Sequence, residues 1–150
     1  MIRHILLCLT LMTFSAEASA FSFADRGVGL AVGEPGGITL FYRDSEKSFI
    51  QAFIGPGLMA GVDYNFAFAG ALKSATNVTP YLGLGGFLFT GDHWSAPHNV
   101  SGFGLRMPAG LLIQIPEAPF HFHLEVAAAS TISPFMYSFA AIMAGVRFLF

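Results

Sequence analysis

Apolar and polar positions alternate with a period of two over several stretches of this chain. Phe120, Phe122, Leu124 and Val126 share one parity, and His121, His123 and Glu125 share the other. Val62, Tyr64, Phe66 and Phe68 stand against Asp63 and Asn65 in the same way. Phe103, Leu105, Met107, Leu111 and Ile113 oppose Arg106, Gln114 and several small residues, and Ile142, Ala144, Val146, Phe148 and Phe150 oppose Arg147. Successive side chains of a strand point to opposite faces, so this pattern predicts strands with one apolar and one polar face. Eight are predicted, over 26–33, 37–43, 48–54, 58–68, 78–90, 102–115, 119–129 and 138–150. The third and fifth alternate poorly, which leaves their registers open. The intervening segments carry turn chemistry, among them Glu34-Pro35-Gly36, Asp44 to Lys47, Gly55-Pro56-Gly57 and Pro116-Glu117-Ala118. Longer connections are predicted at Ala69–Asn77, Gly91–Ser101 and Ser130–Tyr137.

Composition decides which solvent these faces meet. Hydrophobic residues make up 54% of the chain and charged residues only 11%, where a soluble domain has about a quarter charged. Such a chain cannot cover an ordinary water-facing surface. A helical membrane protein is the rival reading, and Val126–Val146 is its best span. Ser130-Thr131-Ile132-Ser133-Pro134 interrupts that span, and Gly55-Pro56-Gly57, Asp63, Asn65, Pro80 and Pro108 cut the others. Strands in lipid must close on themselves, because an open edge leaves backbone groups unsatisfied. The fold expected is therefore all-β, a single antiparallel transmembrane β-barrel of about eight strands, spanning residues 21–150 as one domain. A net charge of −2 and the lack of a basic patch exclude a nucleic-acid partner.

The first twenty residues read as a secretory signal peptide. Arg3 supplies the charge, Ile5–Phe14 the short apolar run, and Ala18-Ser19-Ala20 the cleavage site, so the mature chain is expected to begin at Phe21. The apolar run is shorter than the roughly 20 residues that a spanning helix needs. Cys8, the only cysteine, follows Leu7 too early to be a lipidation site. A mature chain without cysteine has no disulfide and no thiolate chemistry. At the other end, Phe150 closes an alternating strand that also carries Phe148. The pair resembles the assembly signal that insertion machinery reads on the last strand of outer-membrane barrels.

Four segments bring the resemblance closer. Gly33-Glu34-Pro35-Gly36-Gly37-Ile38, Thr79-Pro80-Tyr81-Leu82-Gly83-Leu84-Gly85-Gly86, Gly104-Leu105-Arg106-Met107-Pro108-Ala109-Gly110 and Leu124-Glu125-Val126-Ala127 occur in this order. They resemble a family of small bacterial outer-membrane β-barrel proteins of unassigned function, across essentially the whole mature chain. Ala128 departs from that pattern, which has Pro there. The resemblance implies a Gram-negative cell outer membrane as the location, with outer-membrane lipids and the barrel assembly machinery as partners. It implies no catalytic residue and no cofactor, and it leaves any extracellular partner unknown.

Candidate chemistry lies on the polar parity. Arg43, Asp63, Asn65, Arg106, His121, His123, Glu125 and Arg147 are expected to face inward. There Arg43, Arg106 and Arg147 meet Asp63 and Glu125 in a lumen ion-pair network. A barrel of eight strands is filled by its side chains, so this network is expected to rigidify the interior. The leading expectation is a structural or surface-interaction barrel that is not an enzyme. One alternative is a lipid A-modifying hydrolase, which needs a serine within reach of a base. A narrow pore or small-ligand carrier is the other. Asp92, His93 and His98 lack a recognisable metal-ligand spacing, and Trp94 beside them suits a membrane interface. Gly83, Gly85 and Gly86 precede no helical pattern, so they are read as relief of crowding rather than a nucleotide loop.

Overall fold

The computed structural model describes residues 25–45, 47–56, 59–68, 77–90, 101–115, 117–134 and 136–150. The signal segment lies outside them, as do Gly91–Val100 with Asp92, His93, Trp94 and His98. The strands are β1 (Arg26–Gly33), β2 (Gly37–Ser45), β3 (Ser48–Gly55), β4 (Met59–Ala67), β5 (Asn77–Phe89), β6 (Gly102–Gln114), β7 (Phe120–Ser133) and β8 (Tyr137–Leu149). Each pairs antiparallel with its sequence neighbours. β8 returns to β1 through Gly27↔Leu149 to Gly33↔Met143, which closes the barrel. Among the described residues no helix is long and apolar enough to cross a membrane. The Val126–Val146 span that could have been one is instead divided between β7 and β8.

One connection differs from expectation. Ser130–Ser133 belongs to β7, so the link predicted over Ser130–Tyr137 contracts to 134–136. The Thr131 hydroxyl accepts from Tyr137 N at 3.0 Å, and the Ser138 hydroxyl donates to Ser130 Oγ at 3.1 Å. Serine and threonine that bond across a strand pair behave as strand residues, so polarity alone misplaced the turn. The β1–β2 turn needs glycine for its backbone. Gly33 and Gly37 have φ of 103° and 117°, and Gly36 N donates to Gly33 O at 2.8 Å.

The lumen is packed in three layers along the barrel axis. On β3, Gln51 points inward between Phe49 and Phe53, and the order aromatic, polar, aromatic on this strand marks the three layers. At the end where β1 begins and β8 finishes, Phe41, Phe49, Tyr81, Leu112 and Leu149 cluster. At the far end, Phe53, Met59, Phe87, Phe89 and Ala129 cluster, with Phe139 against them. The middle layer is polar: Thr39, Gln51, Asp63, Asn65, Arg106, His121, His123, Glu125 and Arg147, all buried. The two aromatic layers explain why the third and fifth strands alternate weakly. Phe49 and Phe53 on β3, and Tyr81, Phe87 and Phe89 on β5, make the inner face apolar as well as the outer one.

Glycines make this filling possible. In the strand registers Gly29 stands opposite Arg147, Gly83 opposite Asn65, Gly85 opposite Asp63, Gly110 opposite Glu125 and Gly145 opposite His123. A Cβ on Gly29 would sit 2.7 Å from Arg147 Cγ, and one on Gly110 would sit 2.6 Å from the Tyr81 hydroxyl oxygen. Large polar side chains therefore lie flat across a bare neighbouring strand, which lets the narrow interior hold them.

Candidate functional site: the polar layer of the lumen

Glu125 on β7 is the hub of the middle layer. It accepts from Tyr81 Oη of β5 at 2.7 Å and from Gln51 Nε2 of β3 at 2.9 Å, and it pairs with Arg106 of β6. One carboxylate thus ties four strands together. Arg106 also stands 3.5 Å from Asp63 of β4 and stacks 4.6 Å over the Phe53 ring. A guanidinium suits this place because its fork can meet two carboxylates while its plane covers an aromatic face. Burial makes the arrangement consequential, since Glu125 and Asp63 are 1% and 0% exposed and a buried charge without a partner is costly.

Arg147 on β8 is engaged differently from expectation. Its partners are the Thr39 hydroxyl at 3.0 Å, the Gln51 side-chain carbonyl and His121 Nε2 at 3.4 Å, rather than Glu125 or Asp63. Gln51 accepts from Arg147 and donates to Glu125, so a neutral amide relays between the cation and the carboxylate. Arg43 lies half-buried near the end of β2, and its backbone N donates to Asp25 O at 2.6 Å. Thr39 and Gln51 of this layer, and Tyr81, which reaches Glu125 from the adjoining aromatic cluster, are the residues that alternation did not single out. Thr39 and Gln51 sit in strands whose polar face is short, and a tyrosine carries no charge to mark it. Phe148 and Phe150 are exposed on the outer wall, where Phe148 packs edge-on against Phe120 at 5.4 Å between centroids.

The chemical options of the barrel follow from this geometry. His121 and His123 are buried inside, whereas Ser130 and Ser138 bond to one another on the outer side of β7 and β8. These two serines are therefore separated from the imidazoles by the wall. Among the described residues no three His, Cys, Asp or Glu converge as a metal site. Above and below the polar layer, the aromatic clusters occupy the axis.

The outer wall reverses the usual distribution of a globular protein. Leu30, Leu40, Ile54, Val62, Leu84, Leu105, Leu124 and Ile142, one from each strand, are all between 47% and 65% exposed. Aromatic rings gather outside near the end carrying Phe150: Tyr42, Tyr64, Phe66, Phe68, Phe120 and Phe148. Polar groups begin just beyond them, where Tyr64 Oη donates to Asp44 at 3.0 Å.

No protein-family model matches the chain, and neither a curated protein nor a solved structure matches it.

Proposed function

We propose that this chain is an integral outer-membrane β-barrel, exported by its N-terminal signal, with a structural or surface-interaction role and no catalysis. The observation that carries the reading is the inversion of the barrel: an uncharged apolar belt surrounds a buried layer of ions. Water as the outer solvent would leave apolar side chains on every strand unburied, far beyond the few hundred Å² that soluble monomers tolerate. Lipid removes that cost, and strands of 9–11 residues suffice to cross it when tilted. The ring of Tyr and Phe near the Phe150 end supports a membrane interface there. Outer-membrane lipids are then the permanent partner, and the assembly machinery a transient one that reads Phe148 and Phe150 on β8. The two aromatic layers favour a rigid display scaffold over a pore, with the 34–36, 55–58, 90–101 and 134–136 connections on the outer side.

Fractionation of expressing cells tests this reading. The protein is expected in outer membranes, resistant to alkaline extraction, and faster on a detergent gel unheated than boiled. Recovery from the soluble periplasm, or release by alkali, would overturn it.

A further inference from the structure

We propose that the middle of the lumen is a closed water-binding chamber, in which ordered waters bridge Asp63, Asn65, Arg106 and His123. The chamber is a property of side-chain geometry alone and goes beyond the membrane assignment.

These four side chains are buried to 2% exposure or less. Both Asp63 oxygens, both Asn65 amide atoms, both His123 ring nitrogens, and Nε and Nη1 of Arg106 have no hydrogen-bond partner in the protein. Asp63 and Arg106 attract each other at 3.5 Å, which leaves their remaining lone pairs and protons unanswered. Buried groups of this kind are matched in native proteins by a partner or by ordered water, since each costs about 1–3 kcal/mol if left alone. Apart from Asp63 Oδ1 and Arg106 Nε, which face each other in that ion pair, six such atoms share the layer.

Charge decides the class of ligand. The fully buried ions are Arg106 and Arg147 against Asp63 and Glu125, which balance. A bound cation or anion would unbalance them in a site closed from solvent. The unmet set contains both donors and acceptors, so the ligand must be neutral and able to do both, as water does. Spacing agrees. Asp63 and Asn65 are alternate residues of β4 on one face, roughly 6.6 Å apart along the strand at 3.3 Å per residue, a separation that two hydrogen-bonded waters span, or one where the side chains lean together. Gly83 and Gly85 stand opposite these two residues, and the Asn65 amide and Asp63 carboxylate lie against them, which turns these polar ends along the wall and away from any β5 side chain. The aromatic layers at both ends hold the water in place rather than let it pass.

The test is NMR of the folded barrel in detergent micelles, reading magnetisation transfer from water to the Asn65 side-chain amide and the His123 ring. A crystal structure from a lipid phase that resolves waters accompanies it. Persistent cross-peaks to both groups are expected, with density bridging Asp63 to Asn65. In Asn65→Leu the His123 cross-peaks should remain and the Asp63 bridge be lost. Direct side-chain bonding among the four residues without water contacts overturns the proposal. So does one heavy-ion anomalous peak from rubidium or bromide soaks at this layer. Only protein with a heat-modifiable band is read, so a barrel that fails to reach membranes counts against the membrane assignment and not against the chamber.

Discussion

Replacing Glu125 by Leu is the sharpest perturbation of the lumen. The substitution keeps a side chain of similar bulk but removes the acceptor for Tyr81 at 2.7 Å, for Gln51 at 2.9 Å and for Arg106. Hydrogen bonds to a charged group contribute about 1.5–3 kcal/mol each, and removing one member of a buried ion pair costs about 3–5 kcal/mol. The three interactions share one charge and do not add, and Arg106 keeps Asp63 at 3.5 Å, so the expected loss lies at the low end of that range, about 3 kcal/mol. Tyr81→Phe removes a single donor and should cost about 1.5–3 kcal/mol. The double variant Arg106→Met with Glu125→Leu removes cation and anion together. It should lose less than the two single changes summed, with a coupling of about 0.5–3 kcal/mol, because each single change breaks the same Arg106–Glu125 pair; the loss of Arg106 from Asp63 remains in the double variant. Reversible urea unfolding in micelles, read by the β-sheet signal and by the fraction of folded band on unheated gels, measures each value. A Glu125→Leu loss below about 1 kcal/mol, or strictly additive single changes, would refute the hub role given to this carboxylate.

Four further outcomes are expected. Arg147→Leu should still insert and lose only about 1–3 kcal/mol, because it strands neutral Thr39 and Gln51 rather than a carboxylate; urea unfolding compares it with Glu125→Leu. Gly85→Ala drives a Cβ into the Asp63 carboxylate and the facing backbone, and should cost about 1–3 kcal/mol by the same measurement. Leu124→Arg, at mid-belt on β7, should cost about 2–4 kcal/mol in lipid, and Phe148→Arg less, since the penalty falls toward an interface; folding yield into vesicles ranks them. Deletion of Phe150 leaves the lumen untouched and should lower outer-membrane recovery while raising periplasmic degradation; wild-type recovery would show that the terminal residue is not read.

Much of the barrel wall is legible in the order of residues along the chain. A period of two over Phe120–Val126 and Val62–Phe68 assigns inside and outside because the outer wall and the lumen carry opposite polarities on alternate residues. Turn chemistry separates the eight strands to within a few residues, except where Ser130–Ser133 pairs across β7 and β8 and continues as strand. The sequence alone therefore determined strand number, face and belt. Which lumen side chains meet was decided by closure. Gln51 on β3 touches Glu125 on β7 and Arg147 on β8 only because the sheet curls until strands distant in order face each other. Alternation carries no information about that stagger, so Arg147 could be placed inside but not matched to Thr39, Gln51 and His121. The same curvature gives the glycines their purpose. Gly85 already reads as relief of crowding along the chain, and in the closed barrel Gly29, Gly85 and Gly110 are each the bare floor under a large side chain from the adjoining strand. An eight-stranded interior leaves no width for both.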